Sequence, residues 1–173
     1  MKRLRKIGHY GSSYIAPLLN GHNLSVIVEC MAKKIEKSKL VFDYIACRGV
    51  SGLMVASPLA IRLNKGIIVI RKGESCHGCQ MEASPHPQRK SNYIILDDFF
   101  SSGNTLKEIM KGIDKHWNRG NYTRLSIAGV AFYVQTKKDL VEKSYTHNEP
   151  KLKRLSDIIG NVPVITGLTP PSF

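Results

Sequence analysis

Acidic residues are scarce in this chain: 13 aspartates and glutamates stand against 26 lysines and arginines, and the formal net charge is +13. An excess of that size does not specify a fold, but it points to anionic partners, either nucleic acid or a polyanionic small substrate. The features that would favour nucleic acid are missing. There is no aromatic-rich platform for single strands and no zinc-finger spacing. The basic residues are dispersed, and Lys107, Lys111 and Lys115 form the kind of single helical stripe that a solvated face carries. Long apolar runs are also absent, so no membrane span is expected. The basic start Met1–Lys6 is followed by a short apolar stretch, Tyr14–Leu19, that Pro17 breaks; a signal peptide is not expected, and cytoplasmic residence is. Cysteine is sparse. Cys30 and Cys47 read as small hydrophobes, and Cys76-His-Gly-Cys79 is a lone pair. The nearby His77 and His86 do not complete a standard zinc spacing, and the polar surroundings of Gly78 do not supply a thioredoxin-like unit. No repeat or low-complexity tract interrupts the 173 residues, which suit one α/β domain spanning the whole chain.

What is present is an ordered alternation. Leu24–Ile35 has the period of an amphipathic helix, and Val41–Ala46 reads as a strand. Gly49, Ser51 and Gly52 suggest a tight turn before a helix over Leu53–Leu63. Ile67–Ile70 is a continuous apolar run of the buried, parallel-sheet type. Residues 72–91 show no period, and a loop of that length inside a compact domain is usually functional or disordered. Leu125–Val134 is another long apolar strand, residues 137–159 look helical in pieces broken by Pro150, and Val162–Ile165 reads as a short edge strand, since Pro163 lacks a ladder donor. The order predicts an α/β fold: an open, mainly parallel twisted sheet with helices on both faces. Ligands of such sheets bind beyond the carboxyl ends of the strands. Three loops meet that rule: Ala46–Gly52, the long loop after Arg71, and Asp97–Thr105.

The third loop is the most informative. In Ile94-Ile-Leu-Asp-Asp-Phe-Phe-Ser-Ser-Gly-Asn-Thr-Leu106, three apolar residues read as a buried strand with Asp97 and Asp98 at its end. A small-residue turn follows, and then Leu106, Ile109, Met110 and Ile113 recur at helical spacing. The first N–H groups of a helix have no internal partner, and the dipole there favours negative charge, so the turn is an anion site. Ser101, Ser102 and Thr105 add hydroxyl donors, and Gly103 allows a phosphate to approach the backbone. The paired acids have the wrong sign for a phosphate. Sugar hydroxyls and a hydrated Mg²⁺, which takes oxygen ligands, are their natural partners. The stretch therefore suggests a sugar phosphate.

These residues resemble the phosphoribosyl diphosphate (PRPP) motif of type I phosphoribosyltransferases at every constrained position from Ile94 to Thr105. Phe99 and Phe100 are bulkier than the usual aliphatics, and Asn104 stands where Gly is frequent. The run Ala46-Cys-Arg-Gly49 resembles the diphosphate loop of adenine phosphoribosyltransferases. Ile70-Arg-Lys-Gly-Glu-Ser-Cys-His-Gly78 resembles the catalytic loop of orotate phosphoribosyltransferases, with Ser75 in place of the loop lysine and Arg89 or Lys90 as potential substitutes. The resemblance covers roughly residues 40–135. It implies a Mg²⁺-dependent transfer of phosphoribosyl from PRPP to a nucleobase. Asp97 and Asp98 would orient the ribose hydroxyls and support the metal, with His77 as a third catalytic residue. Arg48, Gly49, Arg71 and Lys72 would gather the diphosphate, while Ser101, Ser102, Gly103, Asn104 and Thr105 would hold the 5′-phosphate. It further implies a lid over residues 73–91, a homodimer, and a small base-binding hood outside a core of about 24–135. That hood would come from residues 1–23, where Tyr10 and Tyr14 are candidates for the base, with 136–173 as a second source. The acid that usually reads 6-oxopurines is replaced by Ser101, so the base is left open. The alternative is a non-catalytic relative that senses PRPP or a nucleotide and binds nucleic acid.

Overall fold

A computed structural model describes residues 16–72, 81–84, 90–118, 124–134, 137–141 and 151–167. A 3-10 turn, Ala16–Leu19, leads into helix α1, Gly21–Ser38. Strand β1, Tyr44–Arg48, is followed by α2, Gly49–Leu63, and β2, Gly66–Ile70. Next come β3, Met81–Ser84, and the motif strand β4, Ser91–Asp97. Helix α3, Asn104–Ile113, ends in a π-helical turn, Asp114–Asn118, and leads to β5, Leu125–Phe132. The chain continues through α4, Lys137–Val141, α5, Lys151–Ile159, and β6, Val164–Thr166.

The six strands form one sheet in the order β3-β2-β1-β4-β5-β6. All neighbours are parallel except β2 and β3. Alternation along the central strands divides the core in two. Ile45 and Cys47 of β1 and Ile94 and Leu96 of β4 pack under Met31, Ile35, Val55 and Leu59 of α1 and α2. Tyr44, Ala46 and Ile95 face the opposite way, onto Leu106, Ile109 and Ile113 of α3 and Leu155 and Ile159 of α5. Strands buried on both faces lose the polar alternation of a half-exposed strand, which is why the motif strand reads as an unbroken apolar run.

Chain direction sets the site. From β1 the chain crosses through α2 to β2 on one side; from β4 it crosses through α3 to β5 on the other. The sheet order therefore reverses between β1 and β4, and a crevice opens at their carboxyl ends.

Three sequence expectations are corrected. Gly49, Ser51 and Gly52 are not a separate turn but the first turn of α2. Gly52 permits it, because a Cβ there would lie 3.1 Å from the Cys47 Cβ. The segment 72–91 is not one unbroken loop: β3 extends the sheet antiparallel to β2, with Met81 buried in the core and Glu82 exposed. Four residues are too few to show a period. Strand β1 begins at Tyr44 rather than Val41, whose side chain is exposed.

Of the segments expected to supply a hood, residues 16–23 form the 3-10 turn and the start of α1, with Leu18 buried in the core. Residues 1–15, with Tyr10 and Tyr14, lie outside the described residues, as do most of the expected lid (73–80 and 85–89) and the Cys76/Cys79 pair.

Candidate active site

The loops after β1, β2 and β4 meet around a cleft of about 900 Å³. It is lined by Arg48 and Gly49 from the first, Arg71 and Lys72 from the second, and Asp97, Asp98 and Ser101 to Thr105 from the third. Every expected site residue among the described residues is brought together there. His77 and Gly78 lie outside the described residues.

Two helices point their N-termini at this cleft. Helix α1 is capped in the ordinary way: the Asn20 side chain accepts from the N–H groups of His22 and Asn23 at 3.0 and 3.4 Å. Helices α2 and α3 are not. The cap residue of α2 is Arg48, whose side chain makes no capping hydrogen bond, and the cap residue of α3 is Gly103. Ser102 Oγ accepts from the Asn104 N–H at 3.3 Å, within the turn itself. Both helix starts use a left-handed glycine, Gly49 at φ +73° and Gly103 at φ +80°, a conformation that disfavours any side chain. Uncapped helix N-termini collect N–H donors and partial positive charge.

Between them lie the acids. Asp97 and Asp98 are almost fully buried. The Asp98 N–H donates to Asp97 Oδ1 at 3.1 Å, and the Phe99 N–H donates to Asp98 Oδ1 at 2.8 Å. Their carbonyls accept from Tyr133 and Val134 N–H groups just past β5, which fixes the strand end. Burial, and next the Asp98 carboxylate beside it, push the Asp97 carboxyl up to about 7; hydrogen bonds from the Asp98 backbone and the Thr105 hydroxyl oppose the rise. The adjacent Cys47 thiol is pushed up to about 12 by burial and the same carboxyl, so it is inert at neutral pH.

This arrangement suits a hard cation. Among the described residues the two crowded acids have no ion-pair partner, and carboxylate oxygens are of the type Mg²⁺ prefers. Among the described residues no cluster of three or more His, Cys, Asp or Glu surrounds a common point. The protein would thus provide two carboxylates and leave the other positions to water and ligand oxygens, as Mg²⁺ sites on phosphates do.

Cations line the same cleft. Arg48 lies 3.9 Å from Glu108 on α3, and its buried Nε has no hydrogen-bond partner among the described residues. Such an orphaned buried donor marks a place where an acceptor belongs. Arg71 pairs with Glu82 of β3. Lys72 lies across Gly49: a Cβ on that glycine would fall 2.8 Å from Lys72 Cε.

Sequence reasoning did not anticipate Glu82, which the unrecognised β3 carries into the cleft lining. It also gave no role to Val50, Leu53 and Phe99, three partly exposed apolar side chains lining the same cleft. Their helical or strand-end positions read as packing, so no sequence signal sets them apart.

No family model matches the chain. Among individual proteins, it is 22% identical over 99 residues to an orotate phosphoribosyltransferase of Pyrococcus horikoshii, covering 57% of this chain and 53% of that protein. It is 26% identical over 117 residues to an adenine phosphoribosyltransferase of Fervidobacterium nodosum, covering 58% and 67%. The chain thus spans about half the length of the Pyrococcus protein. In three dimensions it is similar to the crystal structure of orotate phosphoribosyltransferase from Francisella tularensis, with a TM-score of 0.63, 19% identity and coverage of 87% of this chain and 69% of that one. At that identity the likeness is one of fold.

Proposed function

We propose that this chain, which belongs to the type I phosphoribosyltransferase family, transfers the 5-phosphoribosyl group of PRPP to a nucleobase and releases diphosphate. The observation that carries the reading is the pair of helix N-termini, α2 and α3, whose cap residues Arg48 and Gly103 supply no side-chain bond, flanking two buried acids in one cleft. PRPP has the matching order of charge: a phosphate at one end, a diphosphate at the other, and a sugar between them.

In the reaction the C1′–O bond breaks, its electron pair leaves with the diphosphate, and a base nitrogen forms the new bond to C1′, its proton passing to solvent. Positive charge builds on the ribose and negative charge on the leaving group. Ser101 to Thr105 and the first turn of α3 hold the 5′-phosphate. Asp97 and Asp98 orient the ribose hydroxyls and face the developing positive charge. Arg48, Lys72 and the first N–H groups of α2 receive the diphosphate, with Arg71 once it leaves Glu82. Most of the rate enhancement comes from positioning and fixed charge, with no covalent nucleophile. Mg²⁺, held by Asp97 and Asp98 with phosphate oxygens, would neutralise the leaving group. The apolar rim of Val50, Leu53 and Phe99 suits the flat face of a base, of a kind left open by these residues.

Turnover distinguishes this reading from a PRPP sensor. Incubation with PRPP, Mg²⁺ and a panel of nucleobases should release diphosphate with at least one of them. Binding of PRPP without release by any base would contradict catalysis and favour the sensor.

A further inference from the structure

The anion turn rests on a helix far away in sequence. On α5, Arg154 Nη2 donates to the Ser102 carbonyl at 3.4 Å, across 52 positions of chain. The same guanidinium lies over the Phe100 ring, 5.9 Å from its centroid, at the residue that precedes the turn. Phe100 is itself buried against Phe132, with ring centroids 6.1 Å apart. One turn further along α5, the Ile158 Cδ1 sits where a Cβ on Gly103 would be. Helix α5 thus touches the turn region at three points, Phe100, Ser102 and Gly103, and none of its own residues lines the cleft. Leu155 and Ile159 anchor that helix in the core.

The contact has a directional consequence. In a planar trans peptide the C=O and the following N–H point in opposite directions. A Ser102 carbonyl drawn toward Arg154 turns the Gly103 N–H the other way, toward the cleft that Ser102 and Gly103 line. A turn rich in Ser and Gly has many alternative conformations, and anion binding to backbone N–H groups depends on their being aimed before the ligand arrives.

We propose that Arg154 is a positioning residue for the 5′-phosphate subsite: by holding the Ser102 carbonyl while lying over the Phe100 ring, it fixes the Ser102–Gly103 peptide with its N–H directed at the phosphate. The inference rests on the phosphoribosyltransferase reading for the identity of the ligand, and adds α5 to the site. It distinguishes the two anion subsites, since α5 supports the α3 turn and not the α2 turn.

The test compares wild type with Arg154→Ala and Arg154→Lys in the full chain, using calorimetric titration with ribose 5-phosphate and, separately, with diphosphate. Thermal melts of each protein run alongside. Arg154→Ala should weaken ribose 5-phosphate about tenfold, the scale of one charge-assisted hydrogen bond, while diphosphate affinity stays within about twofold. Arg154→Lys keeps the charge but loses the planar fork, so it should recover only part of the loss. In turnover, KM for PRPP should rise more than kcat falls. Unchanged ribose 5-phosphate binding in Arg154→Ala overturns the inference while leaving the enzyme reading intact. Equal loss of both ligands also overturns it, since α5 would then be general scaffold. If the alanine variant does not fold, the lysine variant decides: wild-type ribose 5-phosphate affinity there contradicts the proposed geometry. Weakened ribose 5-phosphate binding with no diphosphate release by any of the proteins supports the inference and sinks the catalytic reading. Failure of wild type to bind ribose 5-phosphate removes both.

Discussion

The side chain of Lys72 lies over the backbone of Gly49, so a residue from the loop after β2 covers the first turn of the helix after β1. This contact joins two of the three loops that build the cleft. A Cβ at position 49 would have to push the end of the Lys72 side chain aside, and the left-handed φ of +73° would strain it.

Gly49→Ala should therefore displace Lys72 and strain the start of α2. The expected stability loss is about 1–2 kcal/mol, the cost of forcing an L-residue into that conformation. Diphosphate affinity should fall about tenfold or more, while ribose 5-phosphate binding is retained. Chemical denaturation and paired titrations check both. Loss confined to ribose 5-phosphate would mean the two subsites have been assigned the wrong way round.

The raised Asp97 carboxyl predicts a pH dependence. The folded chain holds a proton there between the ordinary value of 3.8 and about 7, where the unfolded chain has released it. This group thus favours the fold at low pH, and its contribution declines as pH rises from about 4 toward 7. Asp97→Asn should flatten that decline and raise the melting temperature of the ligand-free protein at about pH 8 by roughly 3–6 °C. Turnover should be lost in the same variant. A melting temperature lowered equally at every pH would show that Asp97 is a structural acid.

Arg71 and Glu82 form a solvated pair, with side-chain exposures of 39% and 54%. Such pairs contribute little to stability, typically below about 1 kcal/mol. Glu82→Gln should leave the melting temperature within about 1 °C of wild type and tighten diphosphate binding about threefold, because Arg71 no longer has a competing carboxylate. Titration in low and moderate salt measures it. Weaker binding would assign Glu82 a direct role in holding the ligand or its metal.

Much of this site was legible from residues 94–106, because there the local pattern and the chemistry coincide. A strand buried on both faces gives an apolar run, two acids end it, and a small-residue turn starts the helix. The same logic found Arg48 and Gly49 at the end of β1. What the sequence did not reveal depends on contacts between distant segments. Strand β3 is too short for its alternation to be recognised, so Glu82 and its partnership with Arg71 were missed. Arg154 lies in a run with Lys151 and Lys153 that reads as an ordinary basic helix face; its contact with Ser102 exists only once α5 packs onto the sheet. Helix α2 starts four residues earlier than its apolar period suggests, because Gly49 and Gly52 serve close approach and not turn formation.

The proposed function places separate anion subsites at the starts of α2 and α3, at opposite ends of one ligand. Competition titrations of the full chain with PRPP, ribose 5-phosphate and diphosphate, in the presence of Mg²⁺, address that arrangement. Ribose 5-phosphate and diphosphate should bind together, each leaving the other's affinity largely unchanged, and each should compete with PRPP. Mutual exclusion of the two fragments, or PRPP binding that neither fragment displaces, would contradict it.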